Sequence, residues 1–159
     1  MVIVVGEYVS LVTFRNVILL SLGCLFSGLT MAAPSCSFTL ETLKKLEYFQ
    51  YSSPIRVGQF LIDLKKAAKD RDFVYLASQI HYPFTTYHVG KVIKTYNNQS
   101  DVLSDSKNLF TPQVLQAIES QRCQDIFFRD QGVMIGDGQV WLTEYNSKEL
   151  KIKAINATT

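Results

Sequence analysis

The stretch IGDGQVWL, residues 135–142, decides the fold. Its Asp137-Gly138 pair indicates a tight turn, since Gly accepts positive φ readily and Asp accepts it less readily. Apolar residues lie on both sides of the pair, so the stretch predicts two antiparallel strands joined by that turn. Trp141, the single Trp of the chain, then lies on the second of these strands.

The last third of the chain continues as short strands separated by turns. The predicted strands cover residues 126–129, 132–136, 139–145 and 150–155. In the last one, Leu150, Ile152 and Ala154 alternate with Lys151 and Lys153, which is typical of a strand with one face in water. An antiparallel sheet with one dry face is therefore expected.

Trp141 is expected to fill the concavity of this curved sheet. Alternation puts Trp141 and Thr143 on one face of their strand, and Val140, Leu142 and Glu144 on the other. One of the two faces must meet the helices, and a large aromatic ring suits the centre of a core. The alternative is that the ring forms a stacking platform for a ligand.

Cap signals predict the helices that precede and interrupt the sheet. These signals are Thr39, Ser53-Pro54, Asp72 and Thr111-Pro112. Pro83 is expected to end the third helix, because it disfavours helical geometry at Tyr82. Residues 84–89 and 92–96 are rich in β-formers, whereas 97–107 is polar and predicts a loop with at most one helical turn.

The expected core and pocket residues come from the helical and strand patterns. Behind Pro54, apolar side chains recur at helical spacing and include Phe60 and Leu64. The strands contribute aromatic side chains. The full set is Phe60, Leu64, Phe84, Phe127 and Trp141.

The first 33 residues predict a secretory signal peptide. An apolar run of about a dozen residues follows Arg15 and ends in small residues, and it is shorter than the ~20 that a membrane span needs. Glu7 stands where a signal usually carries positive charge, so translation starting near Leu11 or Val12 is one alternative. An uncleaved anchor is another, and a lipoprotein at Cys24 a third. We expect a periplasmic or secreted protein that meets the membrane only during export.

Removal of this signal leaves Cys36 and Cys123 as the cysteines of the mature chain. Two cysteines in an oxidising compartment indicate one disulfide, and the alternative is a pair of buried free thiols. The predicted bond closes a long loop between the mature N-terminus and a late part of the chain.

Composition excludes several classes of function. The chain has 159 residues, of which 47% are apolar and 19% charged, with a net charge of +2. These values are typical of one globular domain and too weakly basic for a nucleic-acid surface. No cofactor is expected: a metal site lacks converging ligands, and the glycines at 132, 136 and 138 precede strands instead of the helix that a phosphate loop requires.

Four segments together resemble the NTF2-like superfamily. They are KDRDFVYLASQIHYPF at 69–84, LFTPQVLQAI at 109–118, RDQGVMIGDGQVWL at 129–142 and KIKAIN at 151–156. The tail is more narrowly similar to small exported bacterial members. The resemblance implies an α+β cone, in which a curved antiparallel sheet wraps around N-terminal helices and leaves a pocket. It divides the chain into a signal peptide at 1–33, a helical extension at 34–52 and the NTF2-like domain at 53–159.

No catalytic motif of the superfamily matches this chain, so candidate catalytic residues come from chemistry alone. His81 lies near the expected pocket mouth, and an imidazole is a common general base at neutral pH. Tyr82 or Asp130 could act with it. The simpler interpretation is that His81 ends a helix, and that Asp130 joins an ion pair at the sheet edge.

Two hypotheses of function follow from these patterns. The first is a non-catalytic exported domain that binds an unidentified protein partner or a small apolar ligand, in the manner of an immunity protein or an inhibitor. The second is a cone-pocket isomerase, dehydratase or hydrolase that uses His81 with a nearby carboxylate. A homodimer formed through the open sheet face is a further possibility, since fold alone does not determine function.

Overall fold

Hydroxyl and carboxylate caps start most of the helices in the computed structural model, which describes residues 35–51, 53–88, 91–129, 132–146 and 149–156. Thr39, Ser53, Asp72 and Thr111 each accept a hydrogen bond from the backbone three residues on, as their cap signals predict. The helices are α1 Leu40–Tyr48, α2 Pro54–Asp70, α3 Phe73–Ser78, α4 Gln99–Ser104, α5 Ser106–Leu109 and α6 Pro112–Ser120.

The strands of the described residues form two antiparallel sheets, so the chain is of the α+β class. The strands are β1 Phe84–His88, β2 Lys91–Tyr96, β3 Phe127–Arg129, β4 Gly132–Ile135, β5 Val140–Tyr145 and β6 Glu149–Ile155. A hairpin of β1 and β2 makes one sheet, and β3-β4-β5-β6 makes the other in the order of the chain. These strands do not close into a barrel.

A short parallel bridge ties the end of α3 to the larger sheet. The Ile152 N–H donates to Gln79 O at 2.7 Å, and the His81 N–H donates to Ile152 O at 3.0 Å. This pairing needs extended backbone, so α3 ends at Ser78, well before the predicted stop near Pro83. The β6 edge thus gains a partner, which reduces the unpaired edge of the sheet.

Helices α2 and α6 pack on each other and cover one face of the larger sheet. The strand residues on this inner face are inaccessible to solvent: Val133, Ile135, Val140, Leu142 and Ile152 all have 0% exposure. Leu64 of α2 and Phe84 of β1 belong to the same buried cluster, and Phe60 is half-buried against it. The amphipathic segments therefore shield the dry side of the sheet.

Trp141 lies on the opposite, outer face of the sheet, so the expectation that it fills the core is wrong. Its neighbours Val140 and Leu142 are fully buried, and alternation turns the indole away from the helices. Phe127 is also misplaced by the sequence pattern, since it is 45% exposed while Phe128 is buried. In both cases the prediction assigned the side chain to the wrong face of its strand.

A β-bulge in β6 breaks the strict alternation that its sequence suggests. Trp141 pairs with Ala154 but Leu142 pairs with Ile152, so Lys153 is the extra residue. As a result, Ile155 returns to the buried face, where it pairs with Val140. The alternation had predicted Ala154 on the same face as Ile152. The bulge instead places Ala154 beside Trp141.

Residues 97–107 form two short helices where a loop was predicted. The Asn98 side chain caps α4 by accepting from the Asp101 N–H at 3.1 Å. Asp105 then joins this segment to β2, because its Oδ2 accepts from Lys94 Nζ and from Tyr96 Oη, both at 2.7 Å. Val102 is fully buried, so the segment belongs to the core despite its polar composition.

The N-terminal segment of the described chain is held against α2. Cys36 forms a disulfide with Cys123, with a Cα–Cα distance of 5.5 Å. A Cβ at Gly58 of α2 would lie 3.1 Å from the Cys36 Cβ, so glycine permits the close approach. The described part of the predicted extension, residues 35–51, thus packs on the rest of the domain through Cys36 and the buried Leu46 of α1.

The predicted signal peptide at 1–33 lies outside the described residues. Within the described ranges, no helix is long and apolar enough to cross a membrane. The Cys36–Cys123 disulfide fits a protein of the periplasm or the extracellular space, where such bonds persist.

Candidate functional site

A cleft opens between the first half of α2 and the hairpin of β5 and β6. Its volume is about 290 Å³. The lining residues are Ser53, Arg56, Val57, Gln59, Phe60, Asp63, Glu144, Glu149 and Leu150. Phe60, one of the predicted pocket or core residues, lies in this lining.

The α2 side of the cleft is built by helical periodicity. Arg56, Gln59, Phe60 and Asp63 recur at intervals of three and four residues, so they share one side of the helix. Gln59 Nε2 donates to Asp63 Oδ1 at 2.9 Å, which fixes the carboxylate along the helix surface. The Ser53 cap determines where the helix begins and therefore which of its side chains face the sheet.

On the strand side of the cleft, a charged residue lies beside an apolar one. Glu144 of β5 lies directly opposite Leu150 of β6 in the strand register. Glu144 is on the same face of β5 as the buried Val140 and Leu142, where the sheet turns toward α2. Glu149 stands at the start of β6 and pairs with Lys151 at 2.9 Å.

Tyr51 supports the strand side from the α1–α2 connection. Burial of its hydroxyl raises the pKa of Tyr51 to about 12, and the Glu144 carboxylate acts in the same direction. Hydrogen bonds to the Val133 backbone and the Thr143 side chain oppose the rise. The hydroxyl is therefore protonated at neutral pH and positions the end of β5 beside the cleft.

The rim of the cleft is acidic and its floor is apolar. Asp63, Glu144 and Glu149 contribute three carboxylates, against the guanidinium of Arg56 in the lining and the Lys151 ammonium that pairs with Glu149. The apolar lining comes from Val57, Phe60 and Leu150. Such a cleft offers apolar contact to a ligand and favours positive charge at its edge.

The candidate catalytic residues lie apart from this lining. The His81 ring stacks on Tyr145 with 3.7 Å between centroids and 7° between planes. Among the described residues, no carboxylate lies within ion-pair distance of the His81 ring. Tyr82 Oη donates to Ala77 O at 2.9 Å, and burial, with a smaller contribution from Asp101, raises the pKa of Tyr82 to about 12. Asp130 lies outside the described residues.

Two sequence signals would have located this cleft. A carboxylate at 144 shares the strand face of Val140 and Leu142, and charge on an otherwise apolar face indicates a place where the core ends. Arg56 and Asp63 share one helical side with Phe60. The first signal depends on the correct choice of inner face for β5, which the prediction for Trp141 reversed.

Within the described ranges, no group of three or more His, Cys, Asp or Glu side chains is arranged to hold a metal ion. No protein-family model, curated protein or solved structure matches the chain.

Proposed function

We propose that this chain is an exported α+β domain that acts by binding a partner protein, and that the cleft between α2 and the β5-β6 hairpin receives a basic segment of that partner. The observation that carries the proposal is the acidic rim over an apolar floor. Asp63, Glu144 and Glu149 attract a Lys or Arg side chain, while Phe60 and Leu150 contact its aliphatic stem.

Export is supported by the disulfide and by the amino-terminal sequence. The Cys36–Cys123 bond fits an oxidising compartment. The apolar run before the small residues at 30–33 is typical of a cleavable signal. An envelope or extracellular location also restricts the partner to proteins of the same compartment.

Membership of the NTF2-like superfamily is part of the proposal. Support comes from the order of elements, with helices first and an antiparallel sheet of four consecutive strands last. A cleft between the long helix α2 and this sheet is where the cone pocket of that superfamily would lie. The superfamily includes binding proteins as well as enzymes, so the argument for binding depends on the cleft itself.

Charge-neutral substitution of the rim tests the proposal. The double variant Asp63→Asn/Glu149→Gln removes two negative charges from the cleft and keeps the size of both side chains. Its matched control is Glu47→Gln/Asp137→Asn, which changes the net charge equally at two exposed carboxylates that do not line the cleft.

The measurement is affinity capture from the envelope fraction, with quantification of each co-purifying protein. We expect a partner that is retained by the wild-type chain and by the control, is reduced at least tenfold with the cleft variant, and elutes at raised salt because screening weakens its contacts. Equal recovery with both variants would contradict a role for the cleft. Absence of any specific partner with the wild-type chain would contradict a binding function in that compartment.

A further inference from the structure

The outer face of the larger sheet carries a row of side chains that crosses all four strands. Phe127 is opposite Met134, Met134 is opposite Trp141, and Trp141 is opposite Ala154. Helices α2 and α6 cover the other face, so this row is not part of the buried core. Directly opposed side chains in a sheet contact one another, which makes the row a continuous apolar surface.

A hollow of about 380 Å³ lies at the Trp141 end of this row, lined by Trp141, Lys153, Ala154 and Asn156. The small Ala154 side chain leaves space beside the indole ring. A Cβ at Gly138 would be 3.8 Å from the Trp141 Nε1, so the β4–β5 turn lies near the indole N–H. The ring is thus held at one edge and half-buried, with a hollow beside it.

Two polar side chains that line the hollow each have a group without a partner among the described residues. Asn156 donates from Nδ2 to Gly138 O at 2.8 Å, and its Oδ1 has no partner among the described residues. Lys153 is exposed and makes no ion pair with the described part of the chain. Lys153 is the extra residue of the β6 bulge, and it lines the hollow beside Ala154, the residue that pairs with Trp141.

We propose that this hollow binds an acidic saccharide, a sugar ring that bears a carboxylate. The indole offers a flat apolar surface for the C–H face of the ring, and its Nε1–H is a donor. Asn156 Oδ1 accepts from a sugar hydroxyl. Lys153 Nζ pairs with the carboxylate. The site therefore combines an apolar wall with a few convergent polar groups, as small-molecule sites commonly do.

Charge argues against a second copy of the chain as the occupant. Arg129 is exposed at the end of β3 and, like Lys153, has no partner among the described residues. A two-fold dimer through this face would bring the exposed cations of both chains into one interface. Like charges across an interface are unfavourable, whereas an anionic ligand neutralises them.

The single Trp of the sequence makes the site directly observable in the full-length protein. Selective excitation of the indole reports Trp141 alone. The probes are a trimer of galacturonic acid and, as the neutral counterpart, galactotriose. Lys153→Met removes the charge and keeps the length of the stem, and Lys107→Met, an exposed lysine on α5, is the control.

We expect a saturable change of Trp141 emission with trigalacturonate at up to millimolar concentration. The apparent Kd should rise about fivefold with galactotriose and with Lys153→Met, and stay unchanged with Lys107→Met. An unchanged emission spectrum, or an equal response to the acidic and neutral trimers, would overturn the proposal. A dimeric mass with the indole shielded from acrylamide quenching would also overturn it, since the second copy would then occupy the face.

Discussion

Cys36 and Cys123 are joined by a disulfide across a sequence separation of 87 residues, with their Cα atoms 5.5 Å apart. The bond fastens the segment before α1 to the 3-10 turn that follows α6. Lys65 of α2 adds a second link to the same region, because its Nζ donates to Gln121 O at 2.7 Å. The N-terminal segment is therefore attached to the part of the chain that leads into the sheet.

Removal of the disulfide should destabilise the domain substantially. The loop that the bond closes is long, and cross-links of this kind contribute about 2 to 5 kcal/mol to the free energy of unfolding. We expect Cys36→Ser/Cys123→Ser to lower that free energy by an amount in this range, measured by urea unfolding followed by circular dichroism. A midpoint equal to that of the wild-type protein would show that the bond constrains nothing.

Alkylation of the oxidised, denatured protein should distinguish the bonded cysteines from Cys24. Material that has lost its first 33 residues should take up no alkyl group before reduction and two after it, because Cys36 and Cys123 are then its only cysteines. A chain that keeps Cys24 should take up one and then three. Intact mass spectrometry measures both the alkyl count and the mature N-terminus, and labelling of Cys36 without reductant would refute the bond.

Two glycines with positive φ should respond differently to alanine. Gly132 has φ +125° and its Cβ would lie 2.0 Å from Leu142 O, whereas Gly138 has φ +100° and 3.8 Å of clearance. Both substitutions strain the backbone, by about 1–3 kcal/mol, but only the first adds a collision with a neighbouring strand. Gly132→Ala should therefore lose clearly more stability in urea unfolding. Equal losses would contradict the close approach of β4 and β5.

Asp105 should make the domain sensitive to acid. Hydrogen bonds from Lys94, Tyr96 and Asn108 lower the pKa of Asp105 to about 2, from an ordinary value of 3.8. The folded state is therefore stabilised when Asp105 is ionised. That contribution, about 2 kcal/mol, is complete above pH ~4 and is lost as the pH falls toward 2.

The variant Asp105→Asn should remove this contribution and flatten the acid limb of the stability curve. Asp70→Asn is the matched control, because its ion pair with Lys66 lies at the exposed surface of α2 and should matter little. Urea midpoints measured between pH 2 and pH 7 provide the comparison. An acid limb that is as steep in Asp105→Asn as in the wild-type protein would assign the sensitivity to other groups.

Local signals in the sequence predicted the helix starts well. The side chains of Thr39, Ser53, Asp72 and Thr111 make the expected cap bonds, because a cap depends only on residues three positions apart. Asn98 is an equally good cap and starts α4, but the polar residues around it suggested a loop. The burial of Val102 favours the helix. This burial depends on contacts with distant elements, so a local signal in the sequence does not reveal it.

The face of each strand could not be chosen from alternation alone. Period-two patterning assigns Trp141 and Leu142 to opposite faces correctly, but it does not say which face meets the helices. Both faces of β5 carry apolar residues. The prediction assigned the face of Trp141 to the core because the indole is larger than the Leu142 side chain. The bulge that moves Ala154 beside Trp141 depends on cross-strand register, which a single strand does not reveal. The cleft was missed for the same reason.

A paired truncation of Leu142 and Trp141 tests most directly whether the helices cover the Leu142 face and leave Trp141 on the outside. Leu142→Ala should lower the free energy of unfolding by about 2–5 kcal/mol, because it opens a cavity in the core. Trp141→Ala should cost clearly less, since it removes a half-buried ring from the outer face. Urea unfolding followed by circular dichroism measures both, and a larger loss for Trp141→Ala than for Leu142→Ala would contradict this arrangement.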